Sequence, residues 1–444
     1  MNNMQYNSFF LETYGCQMNV YDSELVRSLL IQTGLRETTD WKSADIAFLN
    51  TCSIREHAES KVHSRLGNLY AAKRQKPWML IGVLGCMAQN LKEELLQNKP
   101  YVDIILGPDS YRKIPEYLQR HQSQNHIVDT QLSKYEVYEG LFPSREFGTN
   151  AWIAISRGCD KFCTFCIVPF TRGRERSRSL ESIVKEAKQA VDAGFVEITL
   201  LGQNVNSYRS EKVAFPDLLQ EVAKVDGIQR IRFTSPHPSD CDDQLIEVIA
   251  SNPKICNSIH LPLQSGSNRI LSRMNRSYSK EEFTRLVEKF RNAMPDIGIS
   301  TDIIVGFPGE TDAEFQETLD VMKTVKFDSA FTFKYSARPG TKASEYTEQL
   351  TEAEKGERLE RVIQLQKAHT LSQNQKMIGK TVQVLVEKAS KKSEFQLMGR
   401  TDNNKIVVFD RHHFKSKDMI VLHINDAYGM TLFGDIPEKE KICD

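Results

Sequence analysis

Between residues 9 and 106 four short apolar runs recur along the chain: FFLET, DIAFLN, WMLIGVL and VDIIL. They are continuous rather than alternating, as expected of strands buried on both faces of a parallel sheet. Between them lie stretches with apolar positions at helical spacing, DSELVRSLLIQTG, EHAESKVHSRLGNLYAAKR and LKEELLQN. This alternation predicts an open, doubly wound α/β domain over residues 1–122. Residues 123–148 keep no sustained period and read as a linker.

From residue 149 to 375 the alternation resumes, with strands expected at AWIAIS, VEITLLG, IRFTS, SIHLPL, GISTDIIVGF and SAFTFKY. Ser279 with Glu282, Thr311 with Glu314, and Thr351 with Glu354 fit capping boxes at helix starts, where each side chain satisfies a free backbone donor. Six βα units are too few to close an eight-stranded barrel, so the pattern predicts a partial, open (βα)6 barrel. Over residues 376–440 the runs TVQVLVEKAS, EFQLMGR, KIVVF, MIVLHI and MTLFGDI, separated by polar turns, predict a small all-β barrel.

Composition narrows this picture little. Lys plus Arg equal Asp plus Glu at 58 each in 444 residues, so any surface for a polyanion must be a local patch. The start MNNMQYNSFF has neither the basic segment nor the apolar core of a signal peptide, and no run approaches the roughly 18 apolar residues of a membrane helix. A cytoplasmic, monomeric protein without a membrane partner is expected. Nine cysteines in a long chain of this kind point to free thiols and metal ligands rather than disulfides.

Cysteine placement carries the chemistry. Cys16, Cys52 and Cys86 each follow a predicted strand of the first domain, and in open α/β sheets those ends face one crevice. Gly15 and Gly85 precede two of them and allow close backbone approach. Cys159, Cys163 and Cys166 likewise follow the first strand of the second domain, in RGCDKFCTFC. Each trio is one short of the four ligands of a closed metal site. One reading of the second trio is zinc, completed from afar by Cys241, Cys256 or His260. The other is a [4Fe–4S] cluster with one iron left open for substrate or cofactor. Cys241, Cys256 and Cys443 have no other assigned role.

Strand ends of the second domain place further polar residues at the barrel mouth: Gln203 and Asn204, Ser235 and His237, and Gln264. The amides of Gln203 and Gln264 can meet the polar edges of a bound small molecule; the other reading is that some of these residues merely cap helices or finish turns. Arg172, Arg174, Arg176 and Arg178 alternate in TRGRERSR after the cysteine loop, which on an extended segment places them on one face. They read either as a solvated face or as phosphate contacts for an RNA loop, since Arg suits bidentate phosphate recognition. Arg338 follows the sixth strand and is a further phosphate candidate. Phe165 and Phe170 are candidate stacking platforms.

The spacing C-x3-C-x2-C after the first strand of a partial barrel, with Phe165 before the last cysteine, resembles the signature of radical S-adenosylmethionine enzymes. The domain order, an N-terminal domain with three dispersed cysteines, a radical core and a TRAM-like C-terminal β-domain, resembles the methylthiotransferases over essentially the whole chain. Within them, ETYGCQMNVYDSE, NTCSIREHAESKV, GVLGCMAQ, RGCDKFCTFCIVPFTRGRERSR and LLGQNVNSY are similar to the MiaB-type tRNA enzymes.

The resemblance implies methylthiolation at carbon 2 of N6-(dimethylallyl)adenosine beside the tRNA anticodon. It also implies two [4Fe–4S] clusters, one on Cys16, Cys52 and Cys86 and one on Cys159, Cys163 and Cys166. S-adenosylmethionine would bind near Phe165, Gln203, Asn204, Ser235, His237 and Gln264. An anticodon stem-loop would lie against the arginines. An electron donor such as flavodoxin or ferredoxin and a sulfur donor for cluster repair are further implied partners. An unactivated aromatic C–H bond calls for a cofactor rather than a side-chain base. Sister groups act instead on a ribosomal-protein aspartate or on threonylcarbamoyl-adenosine. A non-catalytic, metal-stabilised RNA-binding protein is the alternative of another class.

Overall fold

The structure, a computed structural model, describes residues 6–52, 56–121, 126–146 and 148–437. The side chains of residues 56–59 and the whole of Cys443 lie outside the described residues. The N-terminal sheet contains β1 (Ser8–Thr13), β2 (Arg36–Glu37), β3 (Ile46–Thr51), β4 (Leu80–Gly85), β5 (Ile104–Leu106) and β6 (Ile127–Asp129). All are parallel, in the order β2-β1-β3-β4-β5-β6. Every residue of β3 and β4 is buried, which accounts for their unbroken apolar sequences.

The segment expected to be a bare linker is built into this domain. Ile127–Asp129 supplies the sixth strand, too short to show a period in sequence. Beyond it Tyr138 is fully buried, its hydroxyl donating to the Pro108 carbonyl at 2.8 Å and accepting from the Tyr111 N–H at 3.0 Å. Single side chains anchored one at a time leave no periodic trace.

In the second domain β7 (Asn150–Ala154) leads into a short antiparallel pair, β8 (Ser156–Arg157) with β9 (Arg176–Ser177), which closes the base of the cysteine loop. β10 (Glu197–Leu201) pairs with β7. After a hairpin of β11 (Arg209–Ser210) and β12 (Val213–Ala214), β13 (Arg230–Phe233) joins the far side of β10. A parallel bridge from Ile231 to Ile255 carries the pairing toward β14 (Ser258–His260), which continues through β15 (Gly298–Val305) to β16 (Ser329–Lys334). The result is the six-stranded open barrel that the sequence predicts. All three expected capping boxes form. Each open edge is covered: the helix Gln17–Gln32 packs against β7, and the helix Glu352–Gln375 against β16. Among the described residues no helix is long and apolar enough to cross a membrane.

The strands β17 (Thr381–Ala389), β18 (Gln396–Thr401), β19 (Ile406–Asp410), β20 (Met419–Tyr428) and β21 (Thr431–Asp435) close into a small barrel. It seats on the N-terminal ends of the core strands. Arg230, opening β13, donates to the carbonyls of Arg400 and Gln383; Arg232 donates to Thr401 at 2.8 Å; and Lys405 pairs with Asp328 at 2.6 Å. Gly298, opening β15, lies so close to the Asn403 carbonyl that a side chain would collide with it. One end of the core is therefore covered, and the loops after the strands occupy the other.

Candidate active site

The first three cysteines all lie at the corresponding end of the N-terminal sheet. Cys16, Cys52 and Cys86 follow β1, β3 and β4, adjacent strands that span the point where strand order reverses and a crevice opens. Two glycines make the approach possible. A Cβ on Gly15 (φ +147°) would stand 2.7 Å from the Cys52 Cβ, and one on Gly85 (φ +92°) 2.6 Å from the Thr51 carbonyl oxygen. Side-chain amides lace the loops together. Asn19 Nδ2 donates to Asn50 Oδ1 at 3.2 Å, Asn50 Nδ2 donates to the Asn19 carbonyl and to Ser23 Oγ at 2.9 Å each, and Thr51 Oγ1 donates to the Leu84 carbonyl at 2.8 Å. Cys16 caps the helix Gln17–Gln32, so its sulfur sits at the positive end of the helix dipole.

The second trio occupies the loop between β8 and β9. Gly158 (φ +78°) packs directly on the backbone of Gly173 and Arg174. The Cys159 N–H donates to the Gly173 carbonyl at 3.1 Å and the Cys166 N–H to the Cys163 carbonyl at 2.9 Å. From the other side Thr164 Oγ1 donates to the Arg273 carbonyl at 2.8 Å, and Arg276 Nη1 points at Cys163 Sγ at 3.4 Å. Burial pushes the Cys166 thiol up to about 12 and Cys159 up to about 11, and it raises Cys86. A metal centre bound here would have to displace protons from neutral thiols, which couples loading to pH.

As they stand, the cysteines do not form a closed zinc site. A tetrahedral zinc at about 2.3 Å from each sulfur would hold its ligands within roughly 4 Å of one another. Among the described residues no three His, Cys, Asp or Glu side chains converge to hold one metal ion. The remote zinc candidates are engaged elsewhere. Cys241 accepts from Asn206 Nδ2 at 3.3 Å, His260 meets Ser300 and Asp302, and Cys256 lies against Arg232 and Arg230 at the covered end of the core.

The mouth of the core gathers orphaned polar atoms. Ser156 Oγ, Gln203 Oε1, Asn204 Oδ1, His237 Nε2 and Gln264 Oε1 are buried without a hydrogen-bond partner, each at a strand end. Leaving one such atom unpaired costs about 1–3 kcal/mol, so five together mark a place that a polar ligand would complete. Asn204 is held by Asp240 at 2.7 Å and His237 Nδ1 by Ser239 Oγ at 2.7 Å. Burial, aided by Arg276 and Lys161, drives His237 down to about 3, so its imidazole is neutral. Gln264 (φ +69°) and Ser235 (φ +59°) sit in left-handed turns. Ser235 contributes its carbonyl, which accepts the Val205 N–H at 3.2 Å. Phe165 packs against Ile270, Met274 and Phe307 rather than standing free as a platform. A cavity of 460 Å³ opens alongside, lined by Lys161, Glu175, Asn204 and Asp240 among others. Ser156, Arg276 and Tyr278 were not anticipated from sequence; the serine next to RGC was the available signal.

The arginine run is corrected. Arg172, Arg176 and Arg178 are 3%, 8% and 1% exposed, and they face the N-terminal domain instead of an RNA. Arg172 pairs with Asp22 at 2.8 Å, Arg176 with Asp109 at 3.0 Å, and Arg178 with Glu186 at 2.6 Å; Arg157 meets the second Asp22 oxygen at 2.8 Å. Alternation is real, but it selects an inward face, because most of its acidic partners lie on another domain. Arg174 alone points out, its side chain 71% exposed, paired with Asp160 at 2.8 Å and set over the Phe162 ring at 5.1 Å. Arg338 is half-buried, and its carbonyl caps Thr341 Oγ1 at 2.7 Å.

Residues 153–322 match the radical SAM superfamily, residues 8–107 the uncharacterized protein family UPF0004, and residues 375–436 the TRAM domain. The chain is 46% identical over 437 residues to the tRNA-2-methylthio-N(6)-dimethylallyladenosine synthase of Parabacteroides distasonis, covering 97% of this chain and 95% of that one. It is 45% identical over 413 residues to the protein of the same name from Carboxydothermus hydrogenoformans, covering 92% and 94%. In fold it resembles the radical S-adenosylmethionine methyltransferase TsrM from Kitasatospora setae (15% identity, TM-score 0.59, 77% of each chain). It also resembles the cobalamin-dependent radical enzyme OxsB (13% identity, TM-score 0.54, 80% of this chain and 56% of that one). Taken with the two cysteine trios and the terminal barrel, these matches establish that the chain belongs to the tRNA-2-methylthio-N6-dimethylallyladenosine synthases, methylthiotransferases of the radical S-adenosylmethionine superfamily.

Proposed function

We propose that this chain inserts a methylthio group at carbon 2 of N6-(dimethylallyl)adenosine beside the tRNA anticodon, using two [4Fe–4S] clusters and two molecules of S-adenosylmethionine. The observation that carries this reading is the pair of cysteine trios, linked where the helix Val168–Arg172, just after Cys166, packs on the helix Cys86–Leu91. Cys159, Cys163 and Cys166 would hold the cluster common to the superfamily, and Cys16, Cys52 and Cys86 a second. When bound, cluster and S-adenosylmethionine supply the radical that an unactivated C–H bond requires.

The chain's own residues bind and orient. Gln203, Asn204, Gln264 and Ser156 present unsatisfied polar atoms to the cofactor, and the neutral His237 adds a nitrogen without bringing positive charge beside a sulfonium. Phe165 buttresses the loop, and Ser235 ties the second and third strand-end loops together. Arg174 and Phe162, with Phe170 at 51% exposure, form the outward rim where RNA bases and phosphates would lie. A reductant such as flavodoxin or ferredoxin and a sulfur donor would complete the cycle, and the enzyme would act as a monomer.

Arg174→Ala is expected to weaken binding of an anticodon stem-loop several-fold and to reduce its salt slope by about one, as loss of one phosphate contact should; an unchanged slope removes Arg174 from the interface. The reading itself is tested by nucleoside analysis of tRNA from a strain lacking the gene. The 2-methylthio derivative of N6-(dimethylallyl)adenosine should vanish and return with the wild-type gene. A retained 2-methylthio derivative of N6-(dimethylallyl)adenosine, with loss of a methylthio group from a protein aspartate or from threonylcarbamoyl-adenosine, would overturn it.

A further inference from the structure

The helix Val168–Arg172 begins two residues after Cys166 and ends against the helix that Cys86 opens. Its last residue carries a guanidinium from one cysteine loop to the other. Arg172 is 3% exposed; Nη2 donates to Asp22 Oδ2 at 2.8 Å, while Nη1 is buried and makes no hydrogen bond. The thiols of Cys86 and Cys16 are neighbours of this guanidinium, Cys86 opening the helix on which the helix of Arg172 packs. A neutral thiol is a poor acceptor; a thiolate is a good one.

The charge count points the same way. Three buried guanidiniums, Arg157, Arg172 and Arg176, share two carboxylates, Asp22 and Asp109. Glu136, which also acts on Arg157, is paired with Arg112, so among the described residues one of the three positive charges has no carboxylate of its own. Buried charge persists only when it is paired, and the nearest groups able to become anionic are the cysteine sulfurs. The Tyr111 hydroxyl is also nearby and unpartnered, but a phenol is not one of the cluster's ligands.

We infer that Arg172 contacts the cluster held by Cys16, Cys52 and Cys86, donating an Nη1–H···S hydrogen bond to the Cys86 thiolate and supplying the positive charge that sets that cluster's reduction potential. This rests on the reading that the first trio holds a cluster. Reduction adds negative charge, so a fixed cation beside the sulfur stabilises the reduced form.

The test uses full-length chain with Cys159, Cys163 and Cys166 replaced by alanine, so that one cluster remains, and follows its potential by spectroscopic titration. Arg172→Gln should shift the reduction equilibrium about tenfold toward the oxidised form, about 59 mV for one electron. Arg172→Lys, which keeps the charge, should retain most of the parent potential, and Asp22→Asn should shift it the opposite way. Equal potentials in parent and Arg172→Gln, or equal shifts in the Gln and Lys variants, would overturn the assignment. If the Gln variant does not load iron, Arg172→Met, which removes the charge but keeps a long buried side chain, decides: a negative shift supports Arg172, and no shift removes it. A parent that holds no iron at all refutes the cluster reading instead, a result distinct from any of these.

Discussion

Replacing Cys159, Cys163 and Cys166 together by alanine is expected to abolish formation of 5′-deoxyadenosine from S-adenosylmethionine. It should also cut iron from about eight to about four per chain. The loss should be chemical and not a failure to fold, because the loop does not depend on its sulfurs for shape. Gly158 rests on the Gly173–Arg174 backbone, Thr164 bonds to Arg273 and Met274, and Asn275 Nδ2 donates to the carbonyls of Lys161 and Phe162 at 3.1 and 3.0 Å. Circular dichroism should therefore match wild type. The complementary variant, with Cys16, Cys52 and Cys86 replaced, should still cleave S-adenosylmethionine but form no methylthio-nucleoside. Product chromatography on both variants separates the two roles. Retained cleavage in the first variant would place the cleaving cluster elsewhere.

Glu186→Ala should cost about 3–5 kcal/mol of stability, the range seen when one partner of a buried ion pair is removed. Glu186 is fully buried on the core helix Leu180–Asp192. It pairs with Arg178 at 2.6 Å and with Arg145, and it accepts from the Tyr21 hydroxyl of the N-terminal helix at 3.2 Å. Its removal would strand two guanidiniums in the interior and loosen the seam between the first and second domains. Urea unfolding should show a lower midpoint, with Glu186→Gln between the two. Glu221→Ala, which breaks an exposed pair with Lys224, should change stability by less than about 1 kcal/mol.

The cysteines were legible in sequence because strand ends are. An apolar run that stops at Gly15–Cys16 or Gly85–Cys86 names both the element and the crevice it faces. The same logic put Gln203, Asn204, His237 and Gln264 at strand ends, where the fold leaves one polar atom of each buried and unsatisfied. It failed for the arginines because a charge pattern within one segment says nothing of partners elsewhere. Asp22 and Asp109 lie at least 63 residues before Arg172 in the chain, and folding brings them to the run. Nor could the sequence show that the terminal barrel covers the opposite end of the core, since that depends on backbone carbonyls at Arg400, Thr401 and Gln383 accepting from Arg230 and Arg232. Backbone acceptors have no sequence signature. At the same junction Lys405 is buried against Asp328.

Two incomplete cysteine sites that act together are the central claim, and iron counting on anaerobically reconstituted wild-type chain tests it most directly. The account predicts about eight iron and eight sulfide per chain, falling by about half when either trio is replaced by alanine. A colourless protein with stoichiometric zinc, or about four iron that survive loss of Cys16, Cys52 and Cys86 unchanged, would contradict it.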